Sequence, residues 1–255
     1  MSFASDLADA PRPDPSRGIF ETLLVAHGEP VELEAHMARL ATSTSELFGA
    51  EVPAAACELV QDRARGVALG RLRLDVAPGA HGRLAPSVRV AQVERALIFP
   101  AWERAVTLAA VVVPAGIGAH KWSDRRLLDQ AQSDVGAALP LVLDANGDVL
   151  EVSRGNLFLV RDGALVTPES DGRLLPGVAR SRIVEVAAAE GIPVRQRTVS
   201  RNELAEADEV FASGSVRGVE PVHAYEDVRQ WKEGAVTRVI SARLRQLWLG
   251  GQYRV

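Results

Sequence analysis

One lysine in this sequence has the type and setting of a reactive amine. Lys121 and Lys232 are the only lysines among 29 basic residues, so arginine fills nearly every other basic position. Lys121 stands between His120 and Trp122, and Arg125 follows; an aromatic neighbour and a second cation would favour the neutral, nucleophilic form of its amine. The alternative interpretation is a solvated lysine that precedes a helix, in a chain whose lysines are few through coding bias.

A carboxylate interrupts a strongly apolar stretch at Glu151, and strand alternation places the amide of Asn156 close to the same hairpin face. A carboxylate in such a stretch costs free energy unless it is paired, which implies a partner cation. The pattern therefore predicts a buried, paired Glu151. An exposed position at a sheet edge is the alternative.

Two turns of small residues carry backbone donors of the kind that bind phosphate. Pro176 and Gly177 precede a helix pattern that begins at Val178, and the first N–H groups of a helix lack partners within the helix. The second turn, Ser213-Gly214-Ser215, follows an apolar strand pattern and offers hydroxyl and N–H donors. Each turn taken alone is more typical of an ordinary surface helix entry or polar loop.

Together, these residue types meet the requirements of one cofactor. Pyridoxal phosphate needs an amine for its aldehyde, a carboxylate beside its pyridine nitrogen and donors around its phosphate. Lys121, Glu151 and the two turns supply these groups. The combination predicts a pyridoxal phosphate site, although no single feature does.

The hydrophobic patterns that position these residues indicate two domains. Residues 1–17 are polar and proline-rich, and we expect a loose N-terminal arm there. Over 18–113, a small α+β domain is predicted from its helix and strand patterns: helices over 33–48 and 53–64, and strands over 69–76, 88–93 and 106–113. The glycine-rich segment that follows predicts an interdomain linker at 114–119.

Residues 120–255 predict a larger C-terminal domain of mixed α/β class. Asn146-Gly147 is a strong hairpin signal between two apolar runs, and Asp162-Gly163 is a second one. The predicted elements are helices over 124–131, 178–189 and 236–247, and strands over 139–144, 149–152, 157–160, 164–166, 194–199 and 209–212.

Composition excludes several classes of function. The chain has 255 residues and a formal net charge of −4, which gives no electrostatic footprint for nucleic acid or an anionic membrane. Cys57 is the sole cysteine and the five histidines are scattered, so we expect no disulfide and no metal site. No signal peptide, 18-residue apolar run, G-x-G-x-x-G fingerprint or G-x-S-x-G elbow is present. We expect a cytoplasmic enzyme.

The order and the amino-acid sequences of six segments resemble those of the class IV aminotransferases, which are pyridoxal phosphate enzymes of fold type IV. The segments are FETLL (20–24), LEAHMARL (33–40), HKWSDR (120–125), LEVSRGNLFLV (150–160), TPESDGRLLPGVAR (167–180) and FASGSVRGVEPV (211–222). The resemblance runs from about residue 18 to residue 225. It implies that Lys121 forms the Schiff base with the cofactor and that Glu151 partners the pyridine nitrogen. It also implies a homodimer and a phosphate-binding set made of Arg39, the Val178 and Ala179 amides, and Ser215.

Within that family, the motifs HK-x-x-x-R and S-V-R-G-V-E-P-V are most similar to those of the aminodeoxychorismate lyases. Such enzymes convert 4-amino-4-deoxychorismate to para-aminobenzoate and pyruvate, and Arg217 would then meet a substrate carboxylate. Trp122-Ser123 stands where those lyases often have two threonines. A transaminase of branched-chain amino acids, D-amino acids or amines is the first alternative, and a non-catalytic scaffold that binds a partner is the second.

Overall fold

The computed structural model describes residues 5–79 and 82–250. These residues form helices α1 (Leu33–Phe48), α2 (Ala55–Ala64), α3 (Arg126–Val135), α4 (Val178–Ala189), α5 (Arg201–Ala205) and α6 (Ala235–Leu249). The strands are β1 (Ser5–Asp6), β2 (Ile19–Ala26), β3 (Glu29–Pro30), β4 (Leu69–Pro78), β5 (Leu84–Gln92), β6 (Val106–Val112), β7 (Leu139–Leu143), β8 (Asp148–Val152), β9 (Asn156–Arg161), β10 (Ala164–Thr167), β11 (Val194–Gln196), β12 (Val199–Ser200), β13 (Glu209–Gly214), β14 (Gly218–Tyr225) and β15 (Arg229–Gln230).

The chain divides into two compact units. The smaller unit consists of Arg12–Ile98 and His120–Arg125, and the remaining described residues form the larger unit. An antiparallel sheet in the order β3-β2-β4-β5 and the helices α1 and α2 make up the smaller unit. Its apolar core includes Leu23, Leu40 and Leu72. This arrangement agrees with the α+β class predicted for the N-terminal half.

Helix α1 begins and ends at the predicted residues, because local signals mark its C-terminal end. Gly49 adopts a left-handed conformation with φ of 58°, and its N–H donates to the Ser45 carbonyl. Glycine takes this conformation without the steric cost that other residues meet. The helix thereby presents His36, Arg39 and Leu40 at fixed positions along its length.

The larger unit is built around a mixed sheet. Its described strands follow the order β11-β10-β9-β13-β14-β6-β7-β8-β12, with β1 beside β6 and β15 beside β14. Strand β7 is buried on both faces: Leu139, Leu141 and Leu143 join one apolar cluster, whereas Val142 joins another. Burial on both faces explains why this strand reads as a continuous apolar run.

The units divide the chain at positions other than the predicted linker. Residues 106–112 belong to the larger unit because β6 pairs in parallel with both β7 and β14. Residues 120–125 belong to the smaller unit, where Trp122 bridges Ile19 on β2 and the Lys121 carbonyl accepts the Phe20 N–H at 2.9 Å. The linker predicted at 114–119 is instead part of the larger unit.

Segment 114–119 is closely packed where the sequence predicted a pliable connection. Gly116 has φ of 65°, and a methyl group on it would lie 2.0 Å from the Arg173 carbonyl oxygen. The Gly118 N–H donates to that same carbonyl at 3.1 Å. The predicted arm also has structure: Ser5–Asp6 pairs with β6, and Pro15–Arg17 forms a 3-10 turn. Residues 1–4 lie outside the described part of the chain.

Other differences from the predicted elements are local. The strand predicted over 194–199 is two short strands, β11 and β12, and helix α3 starts at Arg126 where residue 124 was expected. Strand β14 was not predicted at all, because Glu220 and Pro221 interrupt its apolar pattern. Within the described ranges, no helix combines the length and apolar character needed to cross a membrane, and no group of side chains there could hold a metal ion.

Candidate functional site

Lys121 is held at a defined place in the smaller unit by pairing to strand β2. Its carbonyl oxygen accepts the Phe20 N–H, and the neighbouring Trp122 continues the antiparallel bridge to Ile19. The ammonium nitrogen Nζ lies 4.9 Å from the centre of the Phe20 ring, and the Arg73 guanidinium carbon lies 3.7 Å from the same centre. The predicted aromatic neighbour of the amine is therefore present, but the ring that contacts Nζ is that of Phe20.

A buried carboxylate on β2 organises the basic residues of helix α1. Glu21 is 2% exposed, and its carboxylate accepts hydrogen bonds from Arg39 Nε at 2.9 Å and from His36 Nδ1 at 2.7 Å. Arg39 Nη2 makes a further contact of 2.5 Å with Glu21 Oε2. Arg39, which the family resemblance assigns to the phosphate, thus uses two of its nitrogens to pair with Glu21.

The charges in this cluster and its burial shift the pKa values of Glu21 and His36. Burial alone would raise the pKa of Glu21, but the charge of Arg39 and the hydrogen bonds from His36 and Arg39 lower it from 4.5 to about 2. Burial lowers the pKa of His36, and the positive charges of Arg39 and Lys121 add to that effect. His36 is therefore neutral at pH 7, and its buried Nε2 has no hydrogen-bond partner among the described residues. The charge of Lys121 acts on this cluster.

Glu151 is buried in the larger unit, as its apolar surroundings predicted. It lies on β8 opposite Val142, next to an irregularity in the pairing of β7 and β8. The residue is 5% exposed, and its Oε2 faces the Leu175 N–H at 3.4 Å. Irregular strand pairing of this kind is frequent beside active sites, because it redirects a side chain.

Asn156 connects this carboxylate to the start of helix α4. Its side-chain Nδ2 donates to the Leu175 carbonyl at 2.8 Å. Glu151 and Asn156 therefore contact the main-chain N–H and the main-chain carbonyl of the same residue, Leu175. Its Oδ1 approaches the helix cap so closely that a methyl group on Gly177 would lie 1.9 Å from it. The sequence placed Asn156 near the hairpin face but did not identify this role.

The start of helix α4 has the properties of an anion-binding cup. The cap residue Gly177 has no side chain with which to cap the helix, and Val178 and Ala179 are buried. Uncapped N–H groups at a helix N-terminus attract anions through hydrogen bonds and the helix dipole. Strand register brings the second predicted turn into this neighbourhood, because Asn156 pairs with Ser213, two residues before Ser215.

The turn that carries Ser215 also carries Arg217, and it is tightly fixed. It joins β13 to β14, and the Arg217 carbonyl accepts the Phe99 N–H at 2.8 Å. The Phe99 ring covers Gly218 so closely that a methyl group there would lie 2.2 Å from it. The Arg217 side chain reaches Glu220 at 3.1 Å, a buried carboxylate that Arg154 also contacts at 2.7 Å. Arg154 and Glu220 were missed by the sequence reasoning.

The predicted site residues therefore fall into two sets. In the smaller unit, Lys121 and Arg39 belong to one electrostatically connected cluster. In the larger unit, the carboxylate of Glu151, the entrance of helix α4 and the turn that carries Ser215 are joined through Asn156. The first set offers an amine and a buried ion pair, and the second offers a buried carboxylate beside an anion-binding cup.

Comparison with known proteins adds three observations. The model of the amino-transferase class IV family matches residues 18–225. The crystal structure of 4-amino-4-deoxychorismate lyase from Pseudomonas aeruginosa is 30% identical with a TM-score of 0.77, over 92% of this chain and 93% of that one. A fold IV transaminase from Curtobacterium pusillum superposes with a TM-score of 0.77 at 23% identity, over 92% of this chain and 91% of that one, which speaks to the fold alone.

A curated relative with a different activity matches a shorter stretch. The branched-chain-amino-acid aminotransferase of Escherichia coli (strain K12) is 38% identical over 112 residues. That stretch is 43% of this chain, and it spans about a third of the relative's own length, 35%. The local likeness to an aminotransferase is thus higher in identity, and the likeness to a lyase extends further along both chains.

Proposed function

Because the chain belongs to the class IV aminotransferase family, we propose that it is an aminodeoxychorismate lyase, which converts 4-amino-4-deoxychorismate to para-aminobenzoate and pyruvate. Membership follows from the family model, which covers residues 18–225 and thus most of the chain. The two units, one with an antiparallel sheet and the other with a mixed sheet, agree with the fold type IV enzymes it resembles. Members of the family depend on pyridoxal phosphate, so the predicted cofactor is confirmed.

The residues present fit this cofactor. The uncapped entrance of helix α4 suits a phosphate, and the cup is so closely built that a single methyl group on Gly177 would collide with Asn156. Glu151 is buried, as a carboxylate facing a protonated ring nitrogen must be if water is to be excluded. These two features lie within one unit and share the backbone of Leu175.

We assign the cofactor contacts accordingly. Lys121 would supply the amine for the cofactor aldehyde, and Glu151 would keep the pyridine nitrogen protonated. The Val178 and Ala179 amides would hold the phosphate, with Ser215 and Arg39 as further donors. The pairing of Arg39 with Glu21 fixes its guanidinium in one orientation, which a bidentate anion contact requires.

The chain's own residues then move one proton. When bound, the cofactor supplies an electron sink for the substrate carbon that carries the amino group. Lys121 Nζ would take the proton from C4 of the substrate. The enolpyruvyl ether bond breaks, and a proton delivered to the departing enol gives pyruvate. Aromatisation drives the reaction, so no second substrate is needed.

The observation that carries this proposal is the extended likeness to the Pseudomonas aeruginosa lyase, at 30% identity over more than nine tenths of each chain. The 38% identity to a branched-chain-amino-acid aminotransferase over 112 residues supports the second candidate, a transaminase that moves a proton with the same Lys121. The two reactions differ in one requirement, because a transaminase needs a keto acid to accept the amino group.

That requirement gives the test. Purified enzyme loaded with pyridoxal phosphate is incubated with 4-amino-4-deoxychorismate alone, and the fluorescence of para-aminobenzoate is followed. We expect product without any keto acid, and lactate dehydrogenase with NADH should detect pyruvate in equal amount. Absence of para-aminobenzoate, together with formation of glutamate from 2-oxoglutarate when a branched-chain amino acid is supplied as donor, would favour the transaminase. A colourless protein that ignores pyridoxal phosphate would favour a non-catalytic binding scaffold.

A homodimer and a cytoplasmic location stay predictions. Both come from the family resemblance and from composition. Light scattering after size-exclusion chromatography measures the mass directly, and we expect twice the mass of one 255-residue chain.

A further inference from the structure

Two arginines share one buried carboxylate at the tips of neighbouring turns. Arg154 lies in the turn between β8 and β9, and Arg217 lies in the turn between β13 and β14. Arg154 donates to Glu220 through Nε at 3.1 Å and Nη2 at 2.7 Å, and Arg217 donates to Glu220 through Nη1 at 3.1 Å. We name Arg154 and Arg217 the arginine pair, and Glu220 is the carboxylate that they share.

The turns that carry the arginine pair are locked together. A methyl group on Gly155 would lie 1.8 Å from the Ser213 carbonyl oxygen, so the β8–β9 turn is pressed against the end of β13. The main chain at Arg217 is held in place by Phe99, as described above. Two guanidinium groups mounted on rigid turns lose little conformational freedom when they bind a ligand.

Glu220 does not fully balance the charge of the arginine pair. The two guanidinium groups face a single carboxylate, so the three side chains together carry a net charge of about +1. The Glu220 side chain is only 4% exposed, whereas the side chains of Arg154 and Arg217 are 37% and 31% exposed. Burial and the nearby charge of Arg154 lower the pKa of Arg217, against the opposing effect of Glu220. A second anion would relieve that unbalanced charge.

We propose that Arg154 and Arg217, aligned by Glu220, form the site that binds a carboxylate of the substrate. The family resemblance led us to expect substrate contact from Arg217 alone, whereas Arg154 and the aligning carboxylate follow from the structure. Guanidinium groups match a planar carboxylate through paired N–H donors. The cluster adjoins the proposed cofactor residues in sequence, since Arg154 follows Glu151 by three residues and Arg217 follows Ser215 by two. The inference rests on the proposed function in taking that substrate to be 4-amino-4-deoxychorismate, which has two carboxylates.

Binding of chorismate to the enzyme loaded with pyridoxal phosphate tests the proposal. Chorismate carries the same two carboxylates, and its hydroxyl group in place of the amine prevents covalent reaction with the cofactor. Isothermal titration calorimetry compares the wild type with Arg154→Gln, Arg217→Gln and the double variant. Arg195→Gln, which changes an exposed arginine on β11, is the matched control. Bound cofactor is measured in every variant from its absorption spectrum.

We expect each single variant to weaken chorismate binding about tenfold or more, because a hydrogen bond to a charged group is lost. The double variant should weaken it further, while Arg195→Gln and the cofactor content of all variants stay at the wild-type level. Chorismate affinity unchanged in the double variant would overturn the proposal. Loss of bound cofactor instead of chorismate affinity would also overturn it, because the arginines would then serve the phosphate.

The outcomes separate this inference from the proposed reaction. If the wild type binds chorismate through the arginine pair but forms no para-aminobenzoate, the carboxylate site stands and the lyase assignment fails. If the wild type forms para-aminobenzoate and the variants bind chorismate equally well, the lyase stands and the carboxylate site fails. A wild type that neither binds chorismate nor forms product contradicts both.

Discussion

Asn156 holds the main-chain carbonyl of Leu175, 19 positions further along the chain, with its side-chain Nδ2 at 2.8 Å. On the other side of the same residue, the Leu175 N–H faces Glu151 Oε2 at 3.4 Å. A single amide thus sets the distance between a buried carboxylate and the entrance of helix α4. This relationship makes the larger unit's half of the site a rigid piece, and it gives the first prediction.

Asn156→Ala should weaken binding of the cofactor phosphate more than binding of the ring. Loss of the amide leaves the Leu175 carbonyl without its donor and removes the contact that positions Gly177. We expect the dissociation constant for pyridoxal phosphate to rise about tenfold or more, because an unsatisfied buried hydrogen-bonding group costs about 1–3 kcal/mol. Pyridoxal, which lacks the phosphate, should bind almost as before. Fluorescence titration of both compounds measures the ratio, and Asn202→Ala, an exposed position on α5, is the control. An equal loss for both compounds would contradict the positioning role.

Glu151→Gln should leave the cofactor bound but slow the reaction. A neutral amide cannot keep the pyridine nitrogen protonated, so the electron sink is weakened. We expect single-turnover formation of para-aminobenzoate to fall about 100-fold or more, the range seen when a group that controls a proton is removed. The control is Glu185→Gln, which removes an exposed partner of Arg182 on helix α4. Activity within a few-fold of the wild type would show that Glu151 does not act on the ring nitrogen.

Glu21 should make the smaller unit sensitive to acid. Its folded-state pKa of about 2 lies below the value of 4.5 for the unfolded chain. The stabilisation is therefore complete above pH 4.5 and is lost as the pH falls through 2, because the unfolded state binds more protons in that window. The shift corresponds to about 3 kcal/mol. In Glu21→Gln, we expect the free energy of unfolding to change less steeply with pH between 5 and 3. The reason is that up to about one proton fewer is taken up on unfolding.

The control for Glu21 is the exposed ion pair between Asp62 and Arg65, whose side chains are 48% and 76% exposed. Asp62→Asn should leave the slope unchanged, since exposed pairs contribute little to stability. Urea unfolding followed by circular dichroism at each pH measures both variants. A slope in Glu21→Gln equal to that of the wild type would mean that the buried pair with Arg39 is not charged in the folded protein.

Gly116→Ala should destabilise the protein far more than the same change at Gly147. Both glycines have positive φ, 65° and 83°, so both substitutions carry the same kind of backbone strain. At Gly147 nothing lies within 4 Å of the added methyl group, whereas at Gly116 the Arg173 carbonyl oxygen would lie 2.0 Å away. We expect Gly147→Ala to cost about 1–2 kcal/mol and Gly116→Ala clearly more. Equal costs in thermal unfolding would mean that residues 114–119 are a loose linker after all.

Local signals explain which parts of the fold the sequence could predict. Helix α1 was predicted to the residue because its apolar period is regular and Gly49 ends it. The hairpin at Asn146-Gly147 was predicted for the same reason, since its turn residues specify the conformation. The domain division was not, because the positions of β6 and of the segment around Lys121 depend on strand pairing with residues far along the chain.

The candidate site shows the same distinction. Lys121 and Glu151 could be singled out because an isolated lysine and a carboxylate in an apolar run are conspicuous in one sequence. Glu21 was not, although it is the partner of Arg39, because it is one charged residue in a short strand and its partner lies 18 positions away. The contact between Arg154 and Glu220 spans 66 positions, and no pattern along the chain indicates it. Pairing between distant residues is what the structure adds.

The covalent bond between Lys121 and the cofactor aldehyde is the claim on which the assigned chemistry depends. Reduction of the enzyme with sodium borohydride fixes that bond, and mass spectrometry of the proteolytic peptides locates it. The chain offers an internal control, since Lys232 is the other lysine and is exposed. We expect the phosphopyridoxyl mass on the peptide that contains Lys121 and its absence from the Lys121→Ala variant; label on Lys232, or on no lysine, would contradict the account.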